Sequence, residues 1–326
     1  MSKADIYFEE VYGKSCELIQ EGKLDTFKYE SEDGFISNMF IKRKINGFDL
    51  DKEYYDIATP YGYGGPIINE LKGDKKRLLE EYDKEFSEYC RDNNIVSEFV
   101  RFHPIIENVK DFEDIYDTIF LRKTVGTNLK DNKDPFMDEF SRSTRKNIRR
   151  ALKKGICYEI IEKPVELEKF IDIYYSTMDR NNAKDFYYFD HDYFQFLIDN
   201  MNDYILNINI YLEDTCISSG IYFVYEKFLH CHLSGTKSEY LKYSPAYILR
   251  YALMEWGVEH DMYYIHHGGG TTNDPEDGLF LFKKNFTKDT FFDFYIGKKI
   301  FNKEIYDLLV EKTNTKDSDF FPQYRA

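Results

Sequence analysis

Cysteine is scarce in this 326-residue chain. The five present (Cys16, Cys90, Cys157, Cys216, Cys231) are odd in number, far apart and without a CxxC spacing. That pattern excludes a disulfide frame and a zinc site, and it reads as reduced thiols in a cytoplasm. Positive charge is in deficit too: 44 Lys and Arg stand against 59 Asp and Glu, a formal net charge of −15. The chain as a whole repels nucleic acid, so any polyanion must be met by a local basic patch. No apolar run reaches the ~18 residues a bilayer span needs. The start, Met1-Ser2-Lys3-Ala4-Asp5, lacks the apolar segment of a signal peptide. Neither a GxSxG elbow nor a clustered Cys-His arrangement is visible, which leaves a Ser or Cys nucleophile without support.

Rings are plentiful, by contrast. Tyr and Phe number 29 and 28, which fits either a biased composition or a ring-lined cleft. With 42% hydrophobic and 32% charged residues the balance is globular, and the length predicts about two domains.

Along the first half, strand-like runs cover Thr26 to Tyr29, Phe35 to Ile45 and Tyr54 to Thr59. The loop Tyr61-Gly62-Tyr63-Gly64-Gly65-Pro66 follows. Leu78, Leu79, Tyr82, Phe86, Tyr89 and Cys90 then recur at helical spacing, predicting a helix over roughly 74 to 91. Ile95 to Phe102 is an apolar strand. In the second half, Leu206, Ile208, Ile210 and Leu212 alternate with polar residues, the period of a half-buried strand. Turns at Glu213-Asp214 and Glu226-Lys227 make Cys216 to Tyr225 and Phe228 to Leu233 the next two strands of an antiparallel meander. Ser244-Pro245 predicts a helix start with serine as the cap, running to Gly257. Met262 to His266 reads as a strand ending at Gly268-Gly269-Gly270. Gly278 to Phe286 reads as helix, Thr290 to Ile296 as strand and Lys303 to Val310 as helix.

Two glycine-marked strand ends, Tyr61 to Pro66 and His266 to Gly270, are expected to line a shared cleft. A meander followed by a helix start at Lys242-Tyr243-Ser244-Pro245-Ala246 is a template for holding a pyrophosphate, because first-turn N–H groups and the helix dipole favour an anion there. Glycines at 268–270 would let a ligand approach the backbone. Between Ser141 and Gly155 there are seven basic residues and no acid; Arg142, Arg145, Arg149 and Lys153 share a helical face suited either to phosphate or to solvent. His230 and His232 share a strand face, but no third ligand supports a metal, and none is expected. His266 and His267 point to opposite faces, so one of them can reach a cleft as a base.

Taken in order, Tyr61-Gly62-Tyr63-Gly64-Gly65-Pro66, the basic helix Thr144 to Ala151, Thr177-Met178-x-Arg180, Tyr193-Phe194, and Gly268-Gly269-Gly270 with Leu279-Phe280-x-Phe282-Lys283 resemble the Fem-type peptidyltransferases and their GNAT-fold acyltransferase relatives, over roughly residues 30 to 295. The resemblance implies an α/β (α+β) chain of two GNAT-like domains, each a mixed, largely antiparallel sheet flanked by helices. Residues 1–140 would form the acceptor side, and 141–326 the donor and reaction site. The implied reaction moves an acyl group from acetyl-CoA or another acyl-CoA to an amine of a small-molecule, sugar or cell-wall precursor acceptor. An aminoacyl-tRNA-dependent Fem-like peptidyltransferase is the alternative. The absence of a heptad-bearing helical insertion, with the −15 charge, favours acyl-CoA over tRNA. A non-catalytic nucleotide-sugar- or peptide-binding module is a third reading.

For acyl transfer, candidate bases are His266, His267, Asp277 and Glu239, with Tyr243 or Tyr247 protonating the leaving group. Backbone N–H groups about Leu233-Ser234-Gly235 would polarise the carbonyl. The donor is expected at Ser234, Gly235, Ser244, Ala246, Gly268, Gly269, Gly270 and Lys283. The acceptor is expected at Tyr61, Tyr63, Gly64, Arg101, Arg145, Arg149 and Arg180.

Overall fold

The structure, a computed structural model, describes residues 5–326. It divides into two compact units: one runs through Leu121 and adds Asp293–Ala326, the other is Arg122–Phe292. This differs from a single cut near residue 140, because the last strand and helix return to the unit in which the chain begins.

In chain order the elements begin with α1 (Glu10–Cys16), β1 (Lys23–Ser31), β2 (Gly34–Lys44), β3 (Tyr55–Ala58) and β4 (Ile67–Leu71). Next come α2 (Lys75–Asp92), β5 (Ile95–Arg101), α3 (Val109–Phe112) and β6 (Asp117–Asn128). The middle of the chain holds α4 (Pro135–Asp138), α5 (Arg142–Lys153), β7 (Ile156–Glu162), α6 (Glu168–Arg180) and α7 (His191–Met201). The meander is β8 (Ile205–Leu212), β9 (Thr215–Tyr225) and β10 (Phe228–Thr236). Then follow α8 (Pro245–Glu259), β11 (Tyr264–Gly268), α9 (Gly278–Lys284), β12 (Phe291–Ile300) and α10 (Lys303–Thr313). Among the described residues no helix is long and apolar enough to cross a membrane.

Each unit is a mixed sheet flanked by helices, and one motif occurs in both. In the first unit β1, β2 and β3 pair antiparallel, α2 crosses over, and β5 lies parallel to β3. In the second, β7 to β10 are antiparallel, α8 crosses over, and β11 lies parallel to β10. The crossover helix is needed because parallel neighbours cannot be joined by a tight turn. Asp74 caps α2 by accepting from Lys76 N and Arg77 N, and Leu78, Tyr82, Phe86 and Cys90 bury its inner face against β2, β3 and β5. Helix α8 buries residues on nearly every side, from Ile248 and Leu249 to Leu253 and Trp256, as expected of a helix enclosed in a core.

The expected meander, α2, α8 and β5 are all present. One detail at α8 differs. Ser244 is left-handed (φ 58°) and its side chain makes no capping hydrogen bond, although Pro245 does open the helix. The turn Ser238–Tyr243 delivers the chain to α8 so tightly that Ser244 must reverse it, and this removes the extended backbone that a serine cap needs.

Candidate active site

In the second unit the parallel pairing of β10 with β11 lasts only from Phe228↔Tyr264 to His230↔His266. Beyond that point β10 runs on to Thr236 with β9 on its other side, while β11 turns through Gly268 towards β6. The strands part, and the edge of β10 so released offers strand N–H and C=O groups to an extended ligand bearing amides. The β9–β10 register also steps between Cys231 and Leu233, a bulge where the strands separate.

The corresponding place in the first unit is closed. There β3 and β5 pair to Ala58↔Phe99, and the glycine loop then stitches the strands together again. Gly64 N donates to Arg101 O (2.8 Å), Gly64 bridges Phe102, and Asn108 Nδ2 donates to the carbonyls of Gly64 and Pro66 (both 2.9 Å). Gly62, Gly64 and Gly65 all have positive φ, which this close return requires.

His267 lies at the parting, one residue past the last parallel pair, and is 2% exposed. Its Nε2 is 2.8 Å from Thr127 Oγ1, and that hydroxyl donates to Phe286 O at 2.6 Å. A hydroxyl has one proton, so Thr127 accepts from His267, and Nε2 carries the hydrogen. Nδ1 is then the bare nitrogen, and it faces Cys231 Sγ at 3.4 Å. Burial first, then the charges of Arg250 and Lys283, holds His267 well below the usual histidine range, so the ring is neutral. Burial likewise pushes the Cys231 thiol up, against the pull of the same two cations.

Tyr222 stands directly across from Cys231 in the β9–β10 ladder, and Arg250 Nη1 of α8 donates to the Tyr222 hydroxyl at 3.1 Å. Arg250 is 7% exposed and its Nε has no hydrogen-bond partner. Lys283 Nζ donates to Gly269 O at 2.6 Å, and burial, then the Arg250 charge, lowers its pKa to about 8.

Other expected residues have structural employment. Asp277 caps α9 through Oδ1 (Leu279 N 3.0 Å, Phe280 N 2.9 Å), and its Oδ2 accepts from Thr271 N and Thr272 N. The backbone donor at Phe280 above all, then those at Thr272 and Thr271, lower its pKa to about 2, which suits a loop clamp and not a base. A Cβ on Gly270 would meet Asp277 Oδ1 at 2.6 Å, and one on Gly269 would meet Arg122 Cδ at 2.9 Å, so their neighbours are protein atoms; Gly268 alone of the three has positive φ. A Cβ on Gly235 would meet Ile173 O of α6 at 2.7 Å, and Ser234 is paired with Gly220 in the sheet. Glu239 is exposed on the turn before α8, and Tyr243 beside it takes the Lys154 ammonium over its ring at 5.6 Å. Ala246 is in the first turn of α8, whose cap residue supplies no side-chain bond.

His266 Nε2 is 2.9 Å from Thr124 Oγ1, with its ring edge-on to His230. Arg145 donates to Met137 O and Phe140 O, and Arg149 lies over the Phe136 ring. Arg180 donates to Thr236 O at 2.5 Å and fixes the end of β10. In the first unit, Arg101 Nη2 donates to Thr59 O at 2.7 Å. Tyr61 O accepts from the Tyr12 hydroxyl, and Tyr63 packs edge-on against Tyr7 and Phe294. A hollow of about 470 Å³ in the same unit, lined in part by Lys298, Tyr306, Phe320 and Phe321, includes none of these residues.

The Cys231–His267 contact overturns the expectation that no clustered Cys-His arrangement exists. The two residues are 36 apart in sequence and meet only because the crossover through α8 makes their strands neighbours. Adjacent placement on a predicted parallel pair was the signal available.

The fold is that of GNAT-type proteins. Residues 140–276 match the family described as the acetyltransferase (GNAT) domain. FemX shares the fold at TM-score 0.68 and 14% identity, covering 93% of this chain and 94% of that one. L-PGS from Bacillus licheniformis does so at 0.55 and 14%, covering 87% and 85%. A tandem GNAT protein from the clavulanic acid biosynthesis pathway does so at 0.51 and 9%, covering 89% and 95%. No curated protein matches the chain in sequence. The implied GNAT resemblance is therefore supported, the fold is one that FemX shares, and the matched domain supports an acyltransferase.

Proposed function

We propose that the chain is an N-acyltransferase that moves an acyl group from acyl-CoA to an amine of a small-molecule, sugar or cell-wall precursor acceptor. The observation that carries this reading is the parting of β10 and β11 beside the start of α8. The released edge of β10 suits the amide-bearing arm of the donor, and the first turn of α8, with no side-chain cap, suits its pyrophosphate. A thioester laid along β10 comes to Cys231 and His267, where the neutral imidazole can take a proton and the Arg250 and Lys283 charges can steady a developing oxyanion. The first unit, whose matching opening is filled by its own loop, is assigned to the acceptor side. Five unpaired cysteines fit a cytoplasmic setting.

Charged tRNA is the competing donor, favoured by the exposed Arg142, Lys146, Arg149, Arg150 and Lys153 of α5. Thermal shift with CoA and with charged tRNA, followed by thiol release from acetyl-CoA over a panel of amines, separates the two. Stabilisation by CoA with acceptor-dependent thiol release is the expected result. A response to charged tRNA alone transfers the reading to the Fem-like alternative, and a response to neither leaves a binding module.

A further inference from the structure

The mechanism above uses His267 and the two cations but leaves Cys231 without a role, although the site is arranged around it. Its sulfur is 3.4 Å from His267 Nδ1, the nitrogen that Thr127 leaves bare by taking the hydrogen of Nε2. Nucleophile, base and orienting group thus stand in sequence, each within hydrogen-bonding reach of the next. Cys231 is partly exposed at the point where β10 leaves β11, whereas Thr127 and His267 behind it are buried. Arg250 is independent of that chain of contacts. It is 93% buried by its 7% exposure, it reaches Tyr222 directly across the ladder from Cys231, and its Nε is unpartnered. A buried guanidinium with an unused donor beside a thiol is a place for an oxyanion.

We propose that Cys231 is a covalent acyl acceptor, and that transfer at this site passes through an acyl-cysteine formed from a thioester. Cys231 Sγ bonds to the thioester carbonyl carbon as its proton goes to His267 Nδ1. The tetrahedral oxyanion faces Arg250. The carbon–sulfur bond to the departing thiol then breaks, and that thiolate takes the proton from His267. In the second half the neutral acceptor amine attacks the acyl carbonyl carbon and gives one proton to His267 Nδ1; the bond from that carbon to Cys231 Sγ breaks, the amide is released, and the Cys231 thiolate takes the proton back from His267. Thr127 is a positioning residue: it holds the tautomer and touches no reacting atom.

This inference rests on the acyltransferase reading, yet a donor that needs no CoA site can test it. The full-length chain is incubated without acceptor, in separate arms, with acetyl-CoA and with the small thioester S-acetyl-N-acetylcysteamine, then acid-quenched for intact-mass and peptide analysis. One acetyl group on the Cys231 peptide, released by hydroxylamine, is expected. Cys231→Ala and Cys231→Ser should give no hydroxylamine-labile adduct there, and His267→Gln should slow acylation by about 10²- to 10⁴-fold. An adduct from the small thioester without CoA binding sinks the acyl-CoA reading and keeps the nucleophile. Acceptor-dependent turnover that is unchanged in Cys231→Ala, or absence of adduct in both arms, overturns the covalent step. Circular dichroism of each variant shows whether it is folded.

Discussion

Glu98 gives the sharpest test of the packing in the first unit. It is 1% exposed, and its carboxylate accepts from Asn38 Nδ2 at 2.7 Å and from the Tyr116 hydroxyl at 2.9 Å. Burial raises its pKa from 4.5 to about 7, against the lowering effect of those two donors and of Lys299. Because the folded value lies above the unfolded one, the contribution to stability is fully present below pH 4.5 and is lost as pH rises to about 7. A shift from 4.5 to about 7, at 1.36 kcal/mol per unit, makes the loss about 3 kcal/mol. Glu98→Gln keeps the shape and removes the ionisation, so the stability of the variant relative to wild type should rise by about that amount over this window and then level off. The single tryptophan, Trp256, lies in the other unit and would not report on β5. Hydrogen exchange of the β5 amides at several pH values, with urea titration by circular dichroism, is the suitable assay. A variant-minus-wild-type difference that stays flat from about pH 4 to pH 8 would refute the raised carboxyl.

Four further outcomes are expected. Asp56 is fully buried between Arg43 (2.6 Å) and Arg325 and also meets the Tyr324 hydroxyl; Asp56→Ala strands two guanidinium groups and should lower stability by about 3–5 kcal/mol in urea titration. Gly235→Ala drives a methyl against Ile173 O and Thr177 Oγ1, at 2.7 and 2.9 Å, and should cost about 1–3 kcal/mol by the same measurement. Asp277→Ala removes the α9 cap and the tie to Thr271 and Thr272, and hydrogen exchange of the α9 amides should accelerate in line with a loss of about 1–2 kcal/mol. Thr127→Val frees the His267 tautomer and should lower kcat more than it raises KM, with Thr127→Ser restoring turnover.

What the amino-acid order determined by itself is whatever local periodicity encodes. Alternation at Leu206 to Leu212 marked a strand but not its burial, for both faces are buried from Ile205 to Ile210, with Asn207 and Asn209 hydrogen-bonded to Ser219 inside; Tyr82, Phe86 and Cys90 at helical spacing did put one stripe of α2 in the core. The proline at 245 likewise opened α8, because proline suits a first helical turn. The ordered glycine and aromatic motifs pointed to the GNAT fold. Strand β6, whose first half is largely exposed and shows no clean alternation of burial, escaped notice, as did the edge strand β7, whose alternation runs only from Ile156 to Ile160.

Tertiary structure alone decided which candidate residues are brought together and which are occupied elsewhere. Arg145, Arg180 and Asp277 are spent on backbone groups of their own unit, which composition could not distinguish from ligand contacts. Return of the C-terminal strand to the first unit was equally hidden, because strand pairing depends on neighbours far away in sequence. So was the meeting of Cys231, His267 and Thr127. They come from three separate strands, brought together by one parallel and one antiparallel pairing, and a residue's protonation state and reactivity follow from such neighbours and from burial.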